Sequence, residues 1–388
     1  MAWIEQHGAG WRVRYQRPDG TIGTDSGYTN PTDARSRADD INYESKRGTF
    51  TDPRKAQTTL NELIEIWREA HEVSSNTWSK YDSYIRNHIE PRFGTTEIGS
   101  IKRITVKTWS KKLRRDLKDA TVAEIISLFS TILAEAAEED LITKNPCRRL
   151  GLKLAPSDRR EIVTPTRLLP IADRCGPYRT MIIVAAYTGL RWGELAGLQW
   201  RNVHLDRSPH AAIVVDPNVG ALHETAGHLE LGPPKTPASA RTVHLPPFLA
   251  ELLREHATTQ FHDHVFTGAR DGLLRRSNFN RRIWRPAVAG QASRGWRPLQ
   301  PGLDFHGLRH TQKSWLSEDR IYEVLQHDRL GHEMSGVRGI YTHVTQLMID
   351  TMITALENKW RISQMTPVAA TPADDRQRDH ISPQSGKP

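Results

Sequence analysis

The chain has 388 residues, enough for two or three domains, with 54 Lys and Arg against 45 Asp and Glu, a formal charge of +9 and a pI near 9.6. This basic balance favours a polyanionic partner such as nucleic acid. No apolar run reaches the length of a membrane span, the start Met1-Ala2-Trp3-Ile4-Glu5 lacks a signal-peptide pattern, and Cys147 and Cys175 without any CxxC pair exclude a disulfide framework or a zinc finger and point to the reducing cytoplasm.

Three blocks and a tail follow one another. In residues 1–54, Trp11-Arg12-Val13-Arg14-Tyr15 alternates apolar and basic residues, the period of a strand with one wet face. Arg17-Pro18-Asp19-Gly20 is a turn signal, residues 21–28 offer one or two further strands, and Asn30-Pro31-Thr32-Asp33 reads as a capped helix start. Ala34, Ala38 and Ile41 give that helix a narrow apolar stripe. Residues 58–152 are helical. Leu60, Leu63, Ile64 and Trp67 form one face; Trp78, Tyr81, Ile85 and Ile89 form the next, ended by Pro91. Val106, Trp109 and Leu113 mark a third helix, and Val122, Ile125, Phe129, Ile132 and Leu133 a fourth. Each such side chain, once buried, stabilises by about 1.5–3 kcal/mol, so these stripes are core. Lys107, Lys111, Lys112, Arg114, Arg115 and Lys118 crowd the third helix and its end. By itself that is a solvated face; with a polyanionic partner it suits phosphate contact. Residues 153–161 read as a linker, and residues 363–388, polar and Pro-rich, as a disordered tail.

The block 160–362 carries the chemistry. An apolar helix over Met181 to Tyr187 leads into Thr188-Gly189-Leu190-Arg191, where Gly189 lets the chain turn. Glu194 follows at a spacing that allows a structural ion pair with Arg191. Ile213-Val214-Val215 and Arg241 to Leu245 read as strands, joined by a long Gly- and Pro-rich connection that holds Lys235. His306-Gly307-Leu308-Arg309 places a histidine and an arginine one helical turn apart. Gly331-His332 and Tyr341 complete the set. His306 and His310 have the spacing of metal ligands on a helix, but Arg309 between them repels a cation, so no metal site is expected. Two arginines, a lysine, two histidines and a tyrosine suit attack of a phenolate on a phosphodiester. Guanidiniums grip non-bridging oxygens, and a lysine can protonate the leaving oxygen.

The order and spacing of Arg191, Lys235, His306, Arg309, His332 and Tyr341 resembles the tyrosine recombinase, or phage integrase, family. The resemblance implies a multidomain, mainly α fold with small β-sheets: a strand-rich N-terminal domain (1–54) like an arm-site-binding domain, a helical core-binding domain (58–152) and a mixed α+β catalytic domain (160–362). It implies that Arg191 and Arg309 bind the scissile phosphate, with Glu194 in support. Lys235, on a β-hairpin turn in the family, protonates the 5′-oxygen. His306 takes the proton of Tyr341, His332 donates to the phosphate, and Tyr341 forms a 3′-phosphotyrosyl intermediate. No cofactor is implied. The implied partners are double-stranded DNA at core-type and arm-type sites, contacted by Arg12 and Arg14 at the N-terminus and by the basic third helix. Four copies act on two duplexes in the bacterial cytoplasm, with a recombination directionality factor as a further partner. The apolar stripe Met348, Ile349, Met352, Ile353 and Leu356 fits docking onto a neighbour or packing within the chain equally well. The alternatives are a transposon integrase, an Xer-like resolvase, a type IB topoisomerase, or a DNA-binding regulator with an inactive site.

Overall fold

A computed structural model describes residues 1–17, 20–47, 55–152, 161–225, 227–259, 262–268, 271–333 and 343–365. Pro18 and Asp19 of the expected turn, linker residues 153–160, tail residues 366–388 and Tyr341 with residues 335–339 lie outside them; Ser363 and Gln364, expected in the disordered tail, instead end the last described helix. The chain divides into two compact units, Met1–Ser157 and Asp158–Pro388, and its buried side chains gather in three hydrophobic clusters.

The first cluster belongs to an antiparallel meander, β1 (Ala2–His7), β2 (Gly10–Gln16) and β3 (Ile22–Tyr28), covered by α1 (Pro31–Lys46). Asn30 caps α1 by accepting from the Asp33 N–H at 2.8 Å. Val13 and Tyr15 on one face of β2 are buried with Ala34, Ala38 and Ile41 of the helix. Arg12 and Arg14 stand on the other face. The register puts Arg12 opposite Glu5, and both arginines lean on that carboxylate, at 2.9 and 3.6 Å.

The second cluster is a helical bundle: α2 (Leu60–Ala70), α3 (Ser75–Tyr84), α4 (Glu90–Phe93), α5 (Arg103–Leu113) and α6 (Asp119–Glu138). Thr59 and Glu62 form a capping box at the start of α2. Leu60, Leu63, Ile64 and Trp67 are all buried, as are Val106 and Trp109 of α5. Pro91 does not end the second helix. A π turn (Ile85–Ile89) joins α3 to α4, with the Glu90 N–H reaching back to Ile85 O. The residue added there accommodates a proline that has no N–H and would crowd the carbonyl four residues earlier. Trp78 and Tyr81 are only half-buried, at the rim of the cluster. Contrary to the sequence expectation, α6 is long and apolar enough to cross a membrane by length and composition. Its apolar face, Val122, Ile125, Phe129, Ile132 and Leu133, is the middle of this bundle's core instead. Lys111, Lys112, Arg115 and Lys118 are exposed and Lys107 half-buried, while Arg114 pairs with Asp119 at 3.3 Å.

The third cluster fills the second unit. Its sheet has the order β4 (Val203–His204), β5 (Ala212–Val215), β8 (Arg241–His244), all antiparallel, and a separate hairpin, β6 (Ala221–Thr225) with β7 (His228–Gly232), is inserted between β5 and β8. Around them pack α7 (Pro165–Arg174), α8 (Arg179–Thr188), α9 (Trp192–Ala196) and α10 (Pro247–Ala257). The remaining helices are α11 (Arg276–Phe279), α12 (Arg285–Ala289), α13 (Gly307–Glu318), α14 (Glu323–Leu330) and α15 (Gln346–Gln364). A second π turn (Asn280–Trp284) joins α11 to α12, again just ahead of a proline, Pro286. In α15, Met352, Ile353 and Leu356 are buried in the core, and Met348 and Ile349 pack on it. The stripe thus serves packing within the chain. Lys359 closes that helix against Glu318 and Asp319 at 3.3 and 3.1 Å. Cys147 and Cys175 are buried free thiols, each pushed by burial to about 12.

Candidate active site

The site is organised by the C-terminal end of α14. A helix leaves its last carbonyls without partners, and they carry the negative end of its dipole. Gly331 ends α14 at φ 62°, and a Cβ there would sit 2.9 Å from Ala238 O and from the Ser239 Cα, so the turn requires glycine twice over. Three consecutive carbonyls at this end accept from three different arginines. Arg329 O accepts from Arg241 Nε at 2.6 Å, Leu330 O from Arg309 Nη2, and Gly331 O from Arg191 Nη2 at 3.1 Å.

Each arginine reaches that point for a local reason. α8, buried from Met181 to Thr188, stops at Gly189, φ 68°, and the chain turns through Leu190 to Arg191, which caps α9. Glu194, one turn into α9, accepts from the Arg191 backbone N–H at 3.0 Å and from Arg191 Nη1 at 2.8 Å. Nη1 also donates to Ser239 Oγ at 2.8 Å. The ion pair expected as a structural role for Arg191 therefore exists. It uses part of the guanidinium: three of its N–H groups meet these partners, and a guanidinium has five. Arg241 opens β8 and donates to Glu194 Oε2 at 3.0 Å and to Ser239 O at 2.7 Å. Burial by itself pushes Glu194 up. The adjacent Arg241 charge and the hydrogen bonds from both arginines outweigh it and hold the carboxylate below its ordinary range.

Arg309 lies in the first turn of α13 and is 4% exposed. Its Nη1 donates to Gly189 O at 2.6 Å, two residues before Arg191. Burial, and then the charges of Arg191 and Arg241 against the opposing Glu194, bring its guanidinium down to about 9. Like charges are thus held together around one touching carboxylate, a field that favours an anion. Arg309 Nη2 lies 2.9 Å from His332 Nε2. A guanidinium only donates, so Nε2 accepts and the neutral ring carries its proton on Nδ1. Burial, and then Arg309 and Arg191, lower His332 to about 4. His306 is half-buried at the N-terminal boundary of α13, its ring edge-on to His310 at 4.9 Å. Among the described residues no cluster of His, Cys, Asp and Glu could hold a metal.

Lys235 is exposed. It does not occupy the turn of the β6–β7 hairpin but lies three residues past the end of β7, followed by Thr236, whose Oγ1 is 2.9 Å from Ser239 Oγ. The structure pairs Arg191 with Glu194 and Arg309 with His332, brings the two arginines onto adjacent carbonyls at the end of α14, and sets His306 one turn from Arg309 and Lys235 on a loop bonded to Arg191 through Ser239. It says nothing of Tyr341. Lys107, Lys111, Lys112, Arg114, Arg115, Arg12 and Arg14 belong to the other compact unit. Ser239, Arg241 and the buried Arg329, which donates to His244 O and Tyr187 O at 2.7 Å each, are parts that sequence reasoning left out of the site. Arg329 had no visible signal, because a charged residue inside a short helix ordinarily faces water.

Residues 166–348 match the phage integrase family and residues 59–114 the phage integrase N-terminal SAM-like domain. The prophage phiRv2 integrase of Mycobacterium tuberculosis is 26% identical over 361 residues, spanning 88% of this chain and 91% of that protein. The ICEBs1 integrase of Bacillus subtilis is 25% identical over 330 residues, 77% and 83% of the two chains. Among solved structures, the Tn1549 transposon integrase in complex with transposon right end DNA aligns with a TM-score of 0.62 at 19% identity, covering 78% of this chain and 99% of that one. A lambda integrase tetramer bound to a Holliday junction aligns with a TM-score of 0.52 at 19% identity, covering 88% and 98%. The chain belongs to the phage integrase family of tyrosine recombinases, enzymes that cut and rejoin DNA strands.

Proposed function

We propose that this enzyme integrates and excises a phage or related mobile element by site-specific strand exchange, with Tyr341 as nucleophile. The observation that carries the reading is the set of arginines on carbonyls 329 to 331 at the end of α14, because it concentrates positive charge around Arg191 and Arg309, the residues matched to the family's phosphate-binding arginines. Arg191 and Arg309 hold the non-bridging oxygens, and His332 donates through Nδ1. The Tyr341 oxygen attacks phosphorus as its proton passes to His306. The bond from phosphorus to O5′ breaks, and O5′ takes a proton from Lys235. The products are a 3′-phosphotyrosyl ester and a 5′-hydroxyl. A 5′-hydroxyl from a second duplex then attacks the ester and releases the tyrosine. The ester keeps the energy of the broken bond, so no nucleotide is consumed.

DNA is the substrate, and four copies on two duplexes carry the exchange. The basic face of α5 contacts the core site. The exposed row Arg276, Arg281, Arg282 and Arg285 supplies a further phosphate contact from the catalytic unit. The N-terminal meander reads an arm-type site, and a directionality factor selects excision. The test is a nicked core-site substrate that traps the covalent adduct. Tyr341→Phe should bind it normally and form no adduct. Phosphotyrosine formed by this variant at near wild-type rate would end the assignment.

A further inference from the structure

The hairpin β6–β7 delivers the chain to Lys235, and it is tied down along its length. At its base, Gly193 of α9 and Gly197 just after it allow close approach: a Cβ on Gly193 would lie 2.8 Å from Leu222 O and one on Gly197 2.7 Å from Leu222 N. Towards its turn, Arg275 donates to Gly227 O at 2.7 Å, and Glu224 accepts from the Arg276 N–H at 3.1 Å. Past β7 the chain runs through Pro233 and Pro234, stiff residues with no N–H of their own. There His223 Nε2 meets Pro233 O at 2.8 Å. A carbonyl only accepts, so the ring donates. Gly232 accommodates the ring, since a Cβ on it would stand 3.0 Å from His223 Cδ2. On the other side of Lys235, Thr236 is bonded to Ser239, and Ser239 accepts from Arg191. The lysine side chain itself is long, exposed and flexible, so the backbone on either side decides where its ammonium can reach.

We propose that His223 is a positioning residue for Lys235: by holding the Pro233 carbonyl it fixes the point from which the lysine reaches the leaving oxygen, in register with Arg191. This rests on Lys235 being the acid that protonates O5′ as the phosphorus–oxygen bond breaks. His223 exchanges no proton in that step; it stays a hydrogen-bond donor throughout.

The test uses the full chain in single-turnover cleavage of two nicked core-site substrates, one with an ordinary scissile phosphate and one with sulfur at the 5′-bridging position. A thiolate leaves without a proton, so the second substrate bypasses Lys235. Losing one hydrogen bond that orients the acid should slow His223→Ala by up to about tenfold on the ordinary substrate. On the sulfur substrate the same variant should match wild type. His223→Gln, which retains a donor, should keep most of the rate, and core-site binding should be unchanged in both. A wild-type rate for His223→Ala on the ordinary phosphate overturns the proposal. So does an equal defect on both substrates when Lys235→Ala is rescued by sulfur, which would make His223 a general support of the fold. A Lys235→Ala defect that sulfur does not rescue removes Lys235 as the acid and takes the proposal with it, an outcome visible in the lysine variant alone.

Discussion

Arg191 and Arg309 differ in the partners they hold within the protein. Arg191 is half-buried, with its charge shared with Glu194, whereas Arg309 is nearly sealed and bonds Gly189 O, Leu330 O and His332 at once. Arg191→Ala and Arg309→Ala should each slow cleavage by about 10²–10³, the usual cost of removing one charge-stabilising donor. Arg309→Lys should rescue little, because one ammonium cannot reproduce a planar fork of donors. Single-turnover rates on the trapping substrate measure both. The histidines give a pH prediction. Burial first, and then nearby arginines, lower His244 and His332 from 6.5 to about 4. Between those values the unfolded chain binds protons that the folded chain refuses. The contribution of these groups is therefore complete above about 6.5 and is lost as pH falls towards about 4. The melting temperature should decline through this window and decline less steeply when His244→Gln and His332→Gln are combined. An unchanged slope in that double variant would exclude these rings as the cause.

Among the elements, the α8–α9 corner is the most constrained. Gly189 has a positive φ, and a Cβ on it would lie 2.6 Å from Leu330 Cδ2. Gly189→Ala should cost at least about 1 kcal/mol in urea unfolding, from the left-handed backbone alone. It should reduce cleavage further than stability, because Gly189 O anchors Arg309. The last helix offers a cleaner packing test. Leu356 is fully buried in the catalytic core, so Leu356→Ala should destabilise that unit by about 2–5 kcal/mol. A loss below about 1 kcal/mol would mean that α15 packs against this core only weakly. The two π turns show how a local exception is absorbed: each precedes a proline that an uninterrupted helix would not tolerate, and the helix continues beyond it.

At the scale of the whole molecule, the chain couples a catalytic unit to a separate unit with two hydrophobic cores of its own. The small meander has Val13 and Tyr15 buried on one face and Arg12 and Arg14 on the other, next to Glu5. If that face reads an arm-type site, DNA must displace or share Glu5. Each phosphate neutralised should then add about 0.9 to the log–log salt slope of binding. Deleting residues 1–54 should leave cleavage of a bare core site intact and abolish integration at a full attachment site. Integration by the truncated chain as efficient as by the intact one would refute the arm-site role.

The elements with a clear period were legible in the sequence. The stripes of α2, α5 and α6, the Asn30 cap and the Gly189 turn follow from side-chain spacing and backbone sterics, which act within a few residues. Motif order likewise carries the candidate residues and the resemblance to the family. What sequence could not supply is the meeting of distant groups. Nothing local says that Arg191, Arg241 and Arg309 converge on carbonyls 329 to 331, that Arg329 is buried, that Lys235 leaves the hairpin past its end, or that His332 offers Nε2 to an arginine and keeps its proton on Nδ1. Those facts were decided by tertiary structure. The partners of a charged side chain and the accessibility of a helix end depend on which segments pack around them, and burial is what turns ordinary arginines into a field suited to a phosphate.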